Sequence, residues 1–330
     1  MKNIVLSAAL VLCFTQQPGH AAGGFDVITL GALGGIQDGN LSAYLVRPRD
    51  DQRAVTCDAG TLVNGLRVAD ERGALDDTKM PEASPNSRVG HVLTEQIKGY
   101  LITHAHYDHI GGLVIASPDD SKKTIYALAS VNDRIEKNYF NWEAWPNFSN
   151  RGKAPQLNKY VLQDLAGGQT LPLKDTAMTV TAFPLSHGGV ESTAFLLESG
   201  EDALLCFGDT GPDAVEKSTL IGNVWKAVAA KVKQGRLKAI LIETSYNNAR
   251  PDNLLFGHLT PNWLLRSLRE LDQAAGGNAL KNLPVLISHI KYSLQKGEQP
   301  QKQILDELQS GNDLGVQFLI PRQGDRFSFP

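Results

Sequence analysis

The chain has 330 residues, 42% of them hydrophobic, with 35 acidic and 32 Lys or Arg side chains and a formal net charge of −3. That is a globular composition, long enough for one large domain or two smaller ones. So small and negative a net charge excludes a global basic field for gripping nucleic acid or an anionic lipid surface, and leaves only a local patch open.

The chain starts "MKNIVLSAALVLCFTQQPGHAAGG", with Lys2 ahead of an apolar run from Ile4 to Phe14 and small residues at Ala21 and Ala22. This is the layout of a secretory signal peptide over residues 1–22, and the run is too short to span a bilayer. Residues 23–330 are then expected to be a single soluble domain, exported to the periplasm or secreted, with no membrane partner. Lipid attachment at Cys13 is disfavoured, because Leu12 rather than a small residue precedes it. Cys57 and Cys206 remain in the mature chain, both in strand-like runs. Buried thiols are the plain reading, and an oxidising compartment leaves a disulfide open.

Short apolar runs predict strands at 26–30, 42–46, 54–58, 99–103 and 124–128, and later at 178–183, 193–198, 203–208, 238–243 and 284–288. The glycine-rich stretch 31–40 lacks dinucleotide-loop spacing, and Asp38-Gly39-Asn40 signals a turn where a helix should open. A surface loop is expected there, with close backbone approach to a ligand as the alternative. The polar stretch 70–90 looks like a surface excursion and not a domain boundary. Helices are clearest at 222–234, 261–274 and 299–310. In the second, Thr260 can cap, Pro261 suits the first turn, and Leu264, Leu265, Leu268 and Leu271 line one face. Strands arrive in groups with helices between some of them, which suggests an α/β domain of two packed sheets with helices outside.

The segment "LITHAHYDHIGGL" places His104, His106, Asp108 and His109 within six residues, in a chain with eight histidines in all. His104 and His106 alternate at strand spacing and can point from one side of an extended segment. Burying four such groups without partners would cost about 1–3 kcal/mol each, a cost that a metal site removes. Three further candidates also follow strands: His187 in "PLSHGG", Asp209 in "CFGDTG" and His289 in "LISHIK". Each alone is weak, since satisfied polar residues are common at strand ends.

Together, "THAHYDH", "SHGGVESTAFLLE", "FGDTGPD" and "SHIK" resemble the metallo-β-lactamase superfamily. "IETSY", "GHLTP" and "WPNF" make the likeness closest to its class II cyclic-nucleotide phosphodiesterases, over essentially the whole chain from Phe25. Tyr107 departs from the aliphatic residue commoner at its position and bears on local packing only. The resemblance implies a four-layer αβ/βα sandwich of two mixed sheets with outer helices, and two divalent metal ions. It implies His104, His106 and His187 on one ion, Asp108, His109 and His289 on the other, and Asp209 bridging. Zinc suits such donors best, with manganese or iron left open.

Two such metals would activate water at neutral pH, with Asp108 and Asp209 able to orient it or take its proton. His258, in the loop before the capped helix, is the candidate general acid for a ribose leaving group, and Glu243 its candidate partner. Related tRNA 3′-processing nucleases use a similar pair. The plain alternatives are a helix-entry hydrogen bond for His258 and a strand-end salt bridge for Glu243. The implied reaction opens a 3′,5′-cyclic nucleotide, cAMP ahead of cGMP, to the 5′-monophosphate. A nuclease would need a basic strip that is not visible, a β-lactamase or lactonase has no need of "GHLTP", and an inactive metal-binding module would not need the complete ligand set. Nucleic acid is therefore not an expected partner, and self-pairing stays open. Residues 138–148 hold five aromatics, expected as core or an oligomer interface, with purine stacking as the alternative.

Overall fold

The computed structural model describes residues 23–330; the segment 1–22, expected from its sequence to be a signal peptide, lies outside the described residues. Two seven-stranded sheets form the frame. The first runs Arg326–Phe329, Phe25–Gly31, Ala43–Pro48, Ala54–Cys57, Ile97–Leu101, Lys123–Leu128, Tyr160–Leu165. It is antiparallel as far as Ala54–Cys57 and parallel from there on. The second runs Gln317–Leu319, Pro284–Ser288, Leu237–Glu243, Asp202–Phe207, Val190–Ser199, Thr179–His187, Thr170–Pro172. Its first four strands are parallel and the rest antiparallel. A short parallel pair, Leu33–Gly34 with Ile290–Lys291, joins the two halves.

Alternation along the strands builds the layers. Leu204, Cys206, Leu241 and Leu286 face a core shared with the first sheet. Their neighbours Leu205, Phe207, Ile240, Ile242 and Ile287 turn the other way, onto the helices Leu220–Lys233, Pro261–Ala275 and Pro300–Ser310. A strand covered on both faces has no polar side to show, so it appears in sequence as an unbroken apolar run. All ten predicted strands and all three predicted helices form for that reason, within a few residues of the expected bounds. Against the first sheet, Val63–Glu71 packs on Phe25–Gly31, and Ala129–Asn138 packs on Lys123–Leu128 and Tyr160–Leu165. Residues 72–87 form the expected largely exposed excursion. Among the described residues, no helix is long and apolar enough to cross a membrane.

One local expectation is corrected, and the plain reading of the two cysteines holds. Thr260 occupies the N-cap with an extended backbone, but its side chain makes no capping hydrogen bond. The Asn262 amide in the first turn instead donates to Asn248 Oδ1 at 2.8 Å, so the cap comes from a neighbouring loop. Cys57 and Cys206 are both buried free thiols, and the disulfide left open by the sequence is not formed. The shared core makes a direct prediction. Leu241 is fully buried between the sheets, so Leu241→Ala should lower unfolding stability by about 2–5 kcal/mol. The shift of the denaturation midpoint measures it, and a loss below about 1 kcal/mol would contradict the packing described.

Candidate metal centre

The strand Ile97–Leu101 hands over to an extended run, and His106 then caps the helix Tyr107–Ala116 with extended backbone angles. His104 and His106 therefore sit in the extended run, while Asp108 and His109 fall in the first helical turn. His187 ends the strand Thr179–His187, and Asp209 follows Asp202–Phe207. His289 follows Pro284–Ser288 in a left-handed conformation, φ +56°. These seven residues converge. The ligand atoms of His104, His106 and His187 lie within 4.8 Å of one another, as do those of Asp108, His109 and His289. Asp209 Oδ2 stands between the two groups: it is 3.2 Å from His289 Nε2, 3.3 Å from His109 Nε2, 3.8 Å from His187 Nε2 and 3.9 Å from His104 Nε2.

The outer contacts fix which ring nitrogen is free. His187 Nδ1 donates to the Gly257 carbonyl at 2.7 Å. Thr103 Oγ1 donates to Asp58 at 2.9 Å and so accepts from His104 Nδ1 at 3.1 Å. The Nε2 atoms of both rings face His106 Nδ1, at 3.0 and 3.3 Å. At most one proton can sit among these three neutral-ring nitrogens, so at least two lone pairs meet at one point. That repels unless a cation takes the point. In the second group, His109 Nδ1 donates to Asp58 at 2.6 Å, and its buried Nε2, 3.3 Å from Asp209 Oδ2, makes no aligned hydrogen bond among the described residues. An orphaned donor or acceptor of that kind costs about 1–3 kcal/mol unless something binds it.

Electrostatics point the same way. Burial would raise the pKa values of Asp108 and Asp209, but neighbouring imidazoles outweigh it and hold both below the usual carboxylate range. Burial keeps His104 well below the ordinary imidazole value and pushes His289 down to about 4. Anionic carboxylates and neutral imidazoles are the protonation states that metal binding requires. His109 is the exception. Burial would strip its proton, but Asp209, Asp58 and Asp108 reverse this and hold its pKa well above the usual value. It supplies positive charge where three carboxylates converge, a place a divalent ion fits. The residues present thus suit a pair of divalent cations, with nitrogen and carboxylate donors and no thiolate.

Beside this centre, His258 Nδ1 donates to Glu243 Oε1 at 2.8 Å and lies 3.8 Å from Asp209. Glu243 is fully buried and also accepts from the amides of Thr210 and Ser245. Burial would lift its pKa, yet His258 keeps it below the ordinary value. Burial would lower His258, and Glu243 reverses that, so its net shift is upward.

Five supporting residues were not singled out individually from the sequence. Asp58, held in the left-handed region at φ +55°, orients His109. Thr103 orients His104. The Ser245 hydroxyl lies within 3.0 Å of His289 Nδ1, 3.2 Å of His258 Nδ1 and 2.8 Å of Glu243 Oε2. Gly34 packs so tightly that an added Cβ would stand 2.3–2.5 Å from the His289 ring. The next residue, Gly35, donates its amide to Asp108 Oδ2 at 2.9 Å. The 31–40 loop thus serves the site by close backbone approach to two of its side chains, His289 and Asp108. For Asp58 the only sequence signal was its place after an apolar run, in "TCDAG". Four of the five aromatics of 138–148 follow the core reading: Phe140 is fully buried, Phe148 and Trp145 pack on the core, and Tyr139 donates to the Ala105 carbonyl, while Trp142 is exposed. Tyr107 is 56% exposed, which is why that departure is tolerated.

A family model for class-II cAMP phosphodiesterases matches residues 25–324. A 3′,5′-cyclic-nucleotide phosphodiesterase of Aliivibrio fischeri is 50% identical over 327 residues, 99% of this chain and 98% of its own. The crystal structure of unliganded yeast PDE1 superposes with a TM-score of 0.80 at 25% identity, over 93% of this chain and 100% of that one. YhfI from Bacillus subtilis, a metallo-β-lactamase fold protein, superposes at 0.60 with 15% identity, over 93% and 99%. That last likeness concerns the fold, and the two-sheet frame is the metallo-β-lactamase sandwich that the motifs implied.

Two substitutions remote from any reaction test the site's construction. Gly34→Ala should drive a methyl group into the His289 ring, and Asp58→Asn should leave His109 poorly oriented. Each should weaken metal binding by roughly 10–100-fold, read by chelator competition, with circular dichroism unchanged. Unaltered metal affinity in both would contradict the centre as described.

Proposed function

This chain belongs to the class-II cAMP phosphodiesterases, and from that premise we propose that it hydrolyses 3′,5′-cyclic nucleotides, cAMP first, to nucleoside 5′-monophosphates. In this reading His104, His106 and His187 would hold one divalent cation and Asp108, His109 and His289 a second, with Asp209 a donor available to either. Zinc is the ion these donors suit best. Bound there, the pair would supply Lewis acidity toward the phosphoryl group and bring the pKa of water to roughly 7.

The chain's own groups account for the remaining demands. Asp108 and Asp209 are ionised acceptors at the centre, able to orient water and take its proton. The water oxygen adds to phosphorus, the P–O3′ bond breaks, and the 5′ oxygen keeps the phosphate. The departing 3′ alkoxide is a poor leaving group unless it is protonated, and His258 is assigned that proton transfer. Glu243 supports the role by keeping Nδ1 hydrogen-bonded and the His258 pKa up despite burial. Donation from Nε2 would then leave the ring anchored through Nδ1. The single observation that carries the assignment is the His258–Glu243 contact at 2.8 Å, beside Asp209 yet outside the two ligand groups. The same reading takes residues 23–330 as one catalytic domain, and residues 1–22 as the export signal that delivers it to the periplasm or medium.

Zinc-loaded protein incubated with cAMP should yield 5′-AMP. A 3′-AMP product would reverse the leaving group, and β-lactam cleavage without cAMP turnover would overturn the proposal. His258→Ala should keep its metal content and lose roughly 10²–10⁴-fold in kcat. An unchanged rate would remove His258 from the proton transfer.

A further inference from the structure

A cleft of about 570 Å³ adjoins the metal-ligand cluster and takes Ser245 as part of its wall. That is a volume suited to a small organic ligand. Ser245 is the residue whose hydroxyl contacts His258 and His289, so cleft and centre share a side chain. Three features of its lining have no structural explanation within the fold. First, Ile36, Tyr292 and Leu294 line it while 61%, 47% and 83% exposed. Exposed apolar residues scattered singly are ordinary, but a group of them around one concavity marks a binding surface. The parallel pair that registers Gly34 against Lys291 is followed on its two strands by Ile36 and Tyr292, both in the lining of this cleft.

Second, Arg250 is held in place with its charge unspent. Its Nε donates to the Leu254 carbonyl at 2.7 Å, and its guanidinium lies over the rings of Tyr246 at 4.5 Å and Phe256 at 5.5 Å. Its terminal nitrogens have no hydrogen-bond or ion-pair partner among the described residues. Third, Lys291 likewise has no acidic partner among the described residues, although it lies two residues beyond His289. The acidic residue of the lining, Glu298, accepts from the Ser293 hydroxyl, so two unpaired cations beside exposed apolar side chains match a ligand with an anionic group and a flat amphipathic one. Tyr246 links them to the centre, its ring 5.7 Å from that of His258.

We propose that this cleft is the substrate's nucleoside site, with Tyr292 and Ile36 holding the purine and Arg250 and Lys291 facing the phosphate. The assignment deepens the cyclic-nucleotide reading above and rests on it. It also separates base recognition from the aromatic segment 138–148, where Phe140, Tyr139, Trp145 and Phe148 are taken up by packing and only Trp142 is exposed. Tyr292, Arg250 and Lys291 are specificity-determining residues here, not catalytic ones.

The test is calorimetric titration of the zinc-loaded protein with adenosine and with 5′-AMP, neither of which is consumed. Tyr292→Ala should weaken both ligands by about tenfold or more, the effect of one lost base–aromatic stack. Arg250→Gln and Lys291→Gln should weaken 5′-AMP by a similar factor and leave adenosine within about twofold of wild type. Trp142→Ala, in the aromatic segment, should change neither. Wild-type affinity for adenosine in Tyr292→Ala would overturn the proposal, as would a loss confined to Trp142→Ala. Tyr292-dependent adenosine binding without 5′-AMP production from cAMP would leave the site standing and overturn the hydrolase reading alone. Cleavage of cAMP with binding indifferent to Tyr292 would do the reverse, and failure to bind either ligand would overturn the site.

Discussion

The Asp209 carboxylate is 2% exposed and lies within 4 Å of ring nitrogens from five histidines: His104, His109, His187, His258 and His289. No described arginine or lysine pairs with it. An ionised carboxylate buried in this way costs several kcal/mol unless opposite charge and hydrogen bonds surround it. Asp58 and Glu243 are buried nearby under the same constraint. Most of the surrounding architecture can be understood as meeting it. Asp58 receives Thr103 and His109, Glu243 receives His258, Ser245 and Thr210, and Asp209 receives the histidines. What the protein's own groups leave unmatched is a set of converging lone pairs and one orphaned imidazole nitrogen, the pattern that divalent cations complete.

Topology explains how residues from position 58 to position 289 reach one point. In a parallel arrangement the carboxyl ends of the strands share an edge, and loops leaving them meet there. Ala54–Cys57 and Ile97–Leu101 are parallel neighbours in the first sheet, and Asp58 and His104 follow them. Asp202–Phe207, Leu237–Glu243 and Pro284–Ser288 are parallel neighbours in the second, and they deliver Asp209, Glu243 and His289. Packing the sheets face to face around Leu204, Leu241 and Leu286 sets these two edges together. The short pairing of Gly34 with Lys291 then closes the site on one side and forms a wall of the neighbouring cleft. Core packing and site geometry are therefore one constraint seen at two levels.

Much of this could be read from the sequence, and the gaps have physical causes. Central strands buried on both faces announced themselves as apolar runs. Tyr160–Leu165 did not, because Val161, Gln163 and Asp164 face solvent at the sheet edge, and Thr170–Pro172 and Gln317–Leu319 are only three residues long. The metal-ligand set was legible because it is dense in histidine and marked by family motifs. The residues that orient it were not. Asp58, Thr103 and Ser245 are common residue types whose roles come from contacts with groups far away in sequence, such as the 51 positions separating Asp58 from His109. Nor could sequence show that Thr260 would leave its capping role to Asn248, or that four of the five clustered aromatics would turn inward while Trp142 and Tyr292 stayed out.

The central claim is that two cations share the Asp209 carboxylate. It is tested most directly by anomalous diffraction from crystals of zinc-loaded protein, collected on both sides of the zinc absorption edge. The account predicts two peaks flanking Asp209 about 3.5–4 Å apart, one against His104, His106 and His187, the other against Asp108, His109 and His289. A single peak, or zinc bound away from Asp209, would contradict it.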